Sequence, residues 1–207
     1  MDKKDVLRYL GYKNQVIDES MDDLIDKHMK SLASYSGRII YKVFDFKVDQ
    51  DVHVLDTVLT LPGQSVKHML SQANKLVLFV ATLGPEVDQL IHKYSYVSGT
   101  DMLILDACAS VKIEDVLDQM EEEIQGYKTP RFSPGYGDLP LSVQANIISV
   151  LEGRRIGVTV SESSLLLPKK TVTGFIGLSH EPMTVTYKFC DDCLKRTSCD
   201  FKICNRE

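Results

Sequence analysis

The sequence predicts an α+β fold, a mixed or antiparallel sheet with helices packed around it, and three observations carry that prediction. Two stretches, one opening at Asp18 and one at about Asp101, place apolar residues at helical spacing. Residues Leu76 to Leu83 are apolar on both faces, as in a strand covered from both sides. The segments Arg38 to Leu61 and Val172 to Leu178 are rich in β-branched and aromatic residues, alternating in the first and broken by glycine in the second, and the chain has no internal repeat.

In order, Val6 to Tyr12 reads as a helical turn closed by Gly11. Asp18-Glu19-Ser20 opens a helix running to about Tyr35, with Met21, Leu24, Ile25, His28, Met29 and Leu32 on one face. His28 reads as a core histidine with a partner rather than a ligand. Two strands are expected next, one through Ile39, Tyr41 and Val43 and one, after the turn at Asp49 to Asp51, from Val52 to Leu61. Pro62-Gly63 ends the second, and Ser65 to Ala73 reads as a short helix with Val66, Met69 and Leu70 inward. The buried strand Leu76 to Leu83 is followed by Gly84-Pro85-Glu86, with proline where a helix can start.

The longest helix is expected from Asp101 to Gln125, with Leu105, Ala109, Ile113, Val116, Leu117, Met120 and Ile124 in one stripe. Ala107-Cys108-Ala109-Ser110 makes its first half small, which suits either tight packing on a sheet or the close approach of a ligand. Glu114 lies beside the stripe. A helix is expected from Leu141 to Leu151, then strands at Gly157 to Val160 and Val172 to Leu178, whose glycines suggest a bulge or a close approach. Thr184 to Tyr187 is a candidate for one more strand.

Composition narrows the function classes. A chain of 207 residues with 43% hydrophobic and 26% charged residues is expected to fold around one core. No apolar run approaches a membrane span, and Met1 to Asp5 lacks the apolar stretch of a signal peptide, so a cytoplasmic protein is expected. A net charge of −5 with no basic stripe and no tryptophan argues against nucleic acid as a partner. No Gly-rich phosphate loop or dinucleotide fingerprint follows a strand.

The stretch Thr129 to Pro140 holds three of the seven prolines and two of the twelve glycines, so it is a loop of defined shape. It carries a guanidinium at Arg131, a phenol at Tyr136 and a carboxylate at Asp138. Its two readings are a rigid surface turn and a small-molecule site.

Taken in sequence, the buried strand ending Ala81-Thr82-Leu83-Gly84, the small-residue helix bearing Glu114, the run Arg131-Phe132-Ser133-Pro134-Gly135-Tyr136 and the strand with Thr173-Gly174 resemble the activation (reactivation) domain of cobalamin-dependent methionine synthase in a free-standing form. The resemblance covers about Val6 to Leu178 and implies an activation-domain-like α+β domain over residues 1–189. It implies an S-adenosylmethionine-binding protein that supports reductive methylation of inactive cob(II)alamin carried by a separate methionine synthase, with a flavodoxin-like electron donor. The partner would lack its own activation domain. By the same resemblance Arg131 would pair with the carboxylate of S-adenosylmethionine, Ser133 and Gly135 would contact it through the backbone, Tyr136 would line the site, and Glu114 would face its ammonium and sulfonium. Phe132 replaces the family's proline, and the family's late tyrosine has its nearest counterpart in Tyr187, out of register. The alternative readings are a non-catalytic S-adenosylmethionine-binding or corrinoid-protein docking module, and an iron–sulfur electron carrier.

That last reading comes from residues 190–207, a cysteine-rich tail. Cys190, Cys193, Cys199 and Cys204 are four of the five cysteines of the chain. In a reducing compartment such density points to thiolates holding zinc or an iron–sulfur cluster, or to free thiols, and the spacing fits neither the common ferredoxin run nor a standard zinc ribbon. Cys108 reads as a small buried hydrophobe.

Overall fold

The computed structural model describes residues 1–12 and 15–185. The Tyr187 and tail-cysteine expectations lie outside these residues. The first third of the described chain comprises helices α1 (Lys3–Tyr9) and α2 (Glu19–Ala33), strands β1 (Arg38–Phe44), β2 (Phe46–Val48), β3 (Val52–Val54) and β4 (Thr60–Leu61), and helix α3 (Gln64–Met69). The central strand β5 (Lys75–Thr82) leads into α4 (Pro85–Ser95) and the long α5 (Gly99–Glu123), followed by β6 (Tyr127–Lys128). The described residues close with α6 (Val143–Val150), β7 (Thr159–Val160), β8 (Leu166–Leu167) and β9 (Thr171–Ser179).

The main sheet has the order β1-β5-β9-β6 and is antiparallel throughout. β5 lies inside it, with Arg38 opposite Thr82 on one side and Lys75 opposite Leu178 on the other. Side chains alternate across a strand, so Val77, Phe79 and Ala81 enter one core while Leu76, Leu78 and Val80 enter another. The first core is closed by α1, α2, α4 and α5, and the second by α3, α6, β3, β4 and Phe132. Both faces of β5 are therefore covered by apolar side chains, which is why its sequence does not alternate.

The helices start and stop where side chains and glycines dictate. Asp18 Oδ1 accepts the amide of Met21 at 2.8 Å to cap α2, and Ser98 Oγ accepts that of Asp101 at 3.2 Å to cap α5. His28, fully buried, sets Nε2 2.7 Å from Asp101 Oδ1 and ties α2 to α5, as a core histidine should. The small residues Ala107, Cys108 and Ala109 are buried in the first core, so tight packing accounts for them. Burial also raises the Cys108 thiol to about 11, as befits an inert core cysteine.

Three strand expectations need correction. The region Arg38 to Leu61 holds four strands, because the chain bends at Asp45, whose carbonyl accepts the Leu55 amide at 2.9 Å. β1 stays in the main sheet while β2-β3-β4 form a sheet of their own. Likewise β7 pairs with β8 as a separate hairpin, which makes three sheets where one was expected. Thr184 and Val185 form no strand; the Thr184 amide is bound instead by the Gln72 side chain at 2.8 Å.

Candidate functional site

The loop after β6 runs on as an irregular margin of the main sheet. Phe132 and Phe175 exchange both backbone hydrogen bonds at 2.9 Å, and the Thr129 amide donates to the Gly177 carbonyl at 2.9 Å. Phe132 is fully buried, with its ring centroid 5.4 Å from that of Phe175. The margin can sit this close because Gly174 has no side chain. A Cβ there would stand 2.6 Å from the Phe132 carbonyl oxygen and 2.8 Å from Phe79. Of the two readings of the glycine-broken strand, close approach is the one realised.

Within the loop, the Gly135 amide donates to the Leu139 carbonyl at 2.9 Å, and the Tyr136 amide to the Ser133 carbonyl at 3.1 Å. The Gly135 amide is therefore already used within the loop. Asp138 is structural: its carboxylate accepts the amides of Gln64 at 2.6 Å and Ser65 at 3.1 Å, capping α3 from across the fold. Partial burial pushes this carboxyl up, but those amides outweigh it and leave it below the ordinary carboxylate range.

Arg131 reaches from the sheet margin to the polar side of α5. Nη2 donates to Asp118 Oδ1 at 2.8 Å, Nε lies 3.0 Å from Glu121 Oε1, and Nη1 lies 3.5 Å from Glu114 Oε2. That last distance is too long for a good hydrogen bond, and Nη1 is buried without a hydrogen-bond partner among the described residues. Burial pushes the Glu114 carboxyl above its ordinary range, Arg131 draws it down, and Asp118 pushes it up again. Glu121 is raised on the same pattern, with burial first and Arg131 opposing it.

Tyr136, 53% exposed, stands beside this group with its ring at right angles to Phe132 and its centroid 6.1 Å away. Its hydroxyl is pushed up by burial and by the Glu114 charge, and drawn down by Arg131. Tyr9 on α1 also feels Glu114 and Tyr136, so α1 borders the same group.

The fold thus brings Glu114, Arg131, Ser133, Gly135 and Tyr136 to one margin of the molecule. Sequence reasoning missed Asp118 and Glu121. Their signal was available, since 114, 118 and 121 follow the helical spacing of four and three residues that stacks side chains on one face. Two surface clefts lie elsewhere. One of about 690 Å³ is lined by Gln72, Asn74 and Ser179 to Pro182, and one of about 490 Å³ by residues that include Asp88, His92, Met102, Asp106 and Lys169. Neither contains a residue of the Arg131 loop. Among the described residues, no group of three or more His, Cys, Asp or Glu side chains is arranged to hold a metal, and no helix is long and apolar enough to cross a membrane.

The arrangement defines a small antiparallel α+β domain with a polar, charge-dense margin built by one loop and one helix. Among solved structures, the chain is similar to the MetH reactivation domain bound to AdoHcy, with a TM-score of 0.57 at 17% identity over 89% of this chain and 73% of that one. It is also 28% identical over 132 residues to the methionine synthase of Mycobacterium tuberculosis, a match covering 61% of this chain and 11% of that protein. No protein-family model matches the chain. The chain is therefore methionine synthase activation-domain-like, with the fold of the reactivation domain.

Proposed function

We propose that this chain binds S-adenosylmethionine at the Arg131 margin and supports reductive methylation of cob(II)alamin carried by a separate cobalamin-dependent methionine synthase. The observation that carries the reading is the convergence of Arg131, Glu114 and Tyr136 from the loop and α5, on the fold of a reactivation domain whose solved structure holds AdoHcy.

The residues fit such a ligand. Arg131 offers a planar fork to a carboxylate, and Nη1 lacks a hydrogen bond among the described residues. Glu114 supplies negative charge for an ammonium and a sulfonium, and the exposed ring of Tyr136 offers a flat apolar face. The backbone around Ser133 and Gly135 is held by its own hydrogen bonds and by β9, so the loop presents these groups in a fixed geometry. When bound, the sulfonium supplies a methyl electrophile to the reduced corrinoid, so no side-chain nucleophile is required. The electron comes from a flavodoxin-like donor. For the tail, we propose that Cys190, Cys193, Cys199 and Cys204 hold one zinc or iron–sulfur centre.

The test mixes the full chain with a methionine synthase lacking its own activation domain, in the Co(II) form, together with S-adenosylmethionine and a low-potential reductant. Return of the methylated-corrinoid absorption spectrum is the expected result. Binding of S-adenosylmethionine without that return would favour a docking module, and failure to bind would end this reading.

A further inference from the structure

We propose that Asp118 and Glu121 set which ligands Arg131 accepts, selecting an α-amino-acid head group that travels with a sulfonium over the same molecule as a thioether. The inference rests on the S-adenosylmethionine reading of this margin.

The argument begins with a count of charges. One guanidinium meets three carboxylates: Asp118 at 2.8 Å, Glu121 at 3.0 Å and Glu114 at 3.5 Å. Among the described residues the next cations are Arg8, bound to Asp5 at 3.2 Å with its charge also drawing Glu114 down, and Lys128, whose charge reaches Glu121. Elsewhere on α5, Asp115 is held by the Met1 ammonium at 2.7 Å and Asp106 by Lys170 at 2.9 Å. Among the described residues, the group around Arg131 therefore carries excess negative charge. A carboxylate arriving alone must enter that field and displace a carboxylate already in place. A ligand that brings an ammonium supplies a cation for the acid it displaces.

Exposure decides which acid yields. The Asp118 side chain is 60% exposed and can turn into water, whereas that of Glu121 is 29% exposed and grips Nε. Glu121 thus keeps the guanidinium oriented while Asp118 exchanges with the ligand. Nη1 is buried and short of a hydrogen bond among the described residues, and it becomes the second nitrogen for the ligand carboxylate once Asp118 has turned away.

The same excess charge discriminates at sulfur. Converting the sulfonium to a thioether removes one positive charge from the ligand and none from the protein, so the demethylated form is held less tightly. Each neutralised acid should reduce that preference by about threefold to fivefold, the scale of a unit charge acting over about 4 to 6 Å through a water-like dielectric.

The test is calorimetric titration of the full chain with S-adenosylmethionine and S-adenosylhomocysteine, in the natural protein, Asp118→Asn, Glu121→Gln and the double variant. Natural protein should prefer the sulfonium, each variant should lower the affinity ratio, and added salt should narrow it. Glu86→Gln, which makes the same charge change near Arg38 of the edge strand β1, should leave the ratio in place. Asp118→Asn alters an exposed side chain, so it keeps the test sound if Glu121→Gln fails to fold. An unchanged ratio in Asp118→Asn and the double variant would overturn the inference while leaving the S-adenosylmethionine reading intact. No S-adenosylmethionine binding by the natural protein would remove both.

Discussion

Asp138 Oδ2 accepts the backbone amide of Gln64 at 2.6 Å, so the far end of the Arg131 loop caps a helix that lies seventy-four residues earlier in the chain. The residue at the usual capping position is Gly63, at φ +116°, and a Cβ there would collide with the Asp138 carboxylate. Loop and helix hold each other, and the cap of α3 is supplied from a distance.

Asp138→Ala should lower stability by about 1 kcal/mol, the usual scale of a lost helix cap. Because folding holds this carboxyl below its ordinary range, its contribution is fully present above the unfolded value and fades as pH falls through the folded one. Denaturant titrations of natural protein and variant should therefore converge in acid. A difference that persists at the lowest pH would assign the effect to packing.

Gly174→Ala should separate the loop from β9. The added Cβ meets the Phe132 carbonyl oxygen at 2.6 Å and the Ser133 Oγ at 3.1 Å, so the loop must move or the strand must bend. The expected cost is about 1 to 3 kcal/mol, as for overpacked cores. Affinity for S-adenosylmethionine should fall as well, although residue 174 is not proposed to touch the ligand. Thermal unfolding and calorimetry on the same samples check both parts.

Arg131→Ala should weaken S-adenosylmethionine binding by about 2 to 4 kcal/mol, with Arg131→Lys recovering part of the loss, because a point charge cannot reproduce the fork. Equal affinity for natural protein and Arg131→Ala would remove the loop from the binding role.

The same substitution has a pH signature. Glu114 and Glu121 are raised by burial against the pull of Arg131, so without the guanidinium both should rise further. A carboxyl raised on folding contributes stability that is present below its unfolded value and lost as pH rises through the folded value. Arg131→Ala should therefore lose more stability at neutral pH than near pH ~4. Urea midpoints measured across that range provide the check.

Protein purified without oxygen and assayed for iron, zinc and visible absorption should contain one metal centre per chain if the four tail cysteines act together. Metal-free protein with four freely titrating thiols would leave the tail without a role.

What the sequence revealed divides along the range of the interactions involved. The strand at Leu76 to Leu83 was legible because burial on both faces imposes an uninterrupted apolar run, and α5 because its stripe persists over 25 residues. Gly174 and Gly177 signalled a bulge or a close approach without choosing between them or naming what approaches. The parting of β2, β3 and β4 from the main sheet was hidden, since it depends on a bend at Asp45 that local propensity does not encode. β6 was missed for a similar reason: its two residues are a strand because Ser179 and Leu178 pair with them. At the candidate site Arg131 stood out through its loop. Asp118 and Glu121 did not, because an acid on a helix looks solvated until its partner is known.

Phe132 carries one more consequence. Its two hydrogen bonds to Phe175 join the loop to the strand that pairs with β5 along its whole length. The amide protons of Phe132 and Thr129 should therefore exchange with solvent on the timescale of global opening, as the sheet does, and not on that of a fraying turn. A loop that melts only with the sheet offers no local order–disorder transition for control. On the S-adenosylmethionine reading, control of this margin would then act through charge or through what covers it.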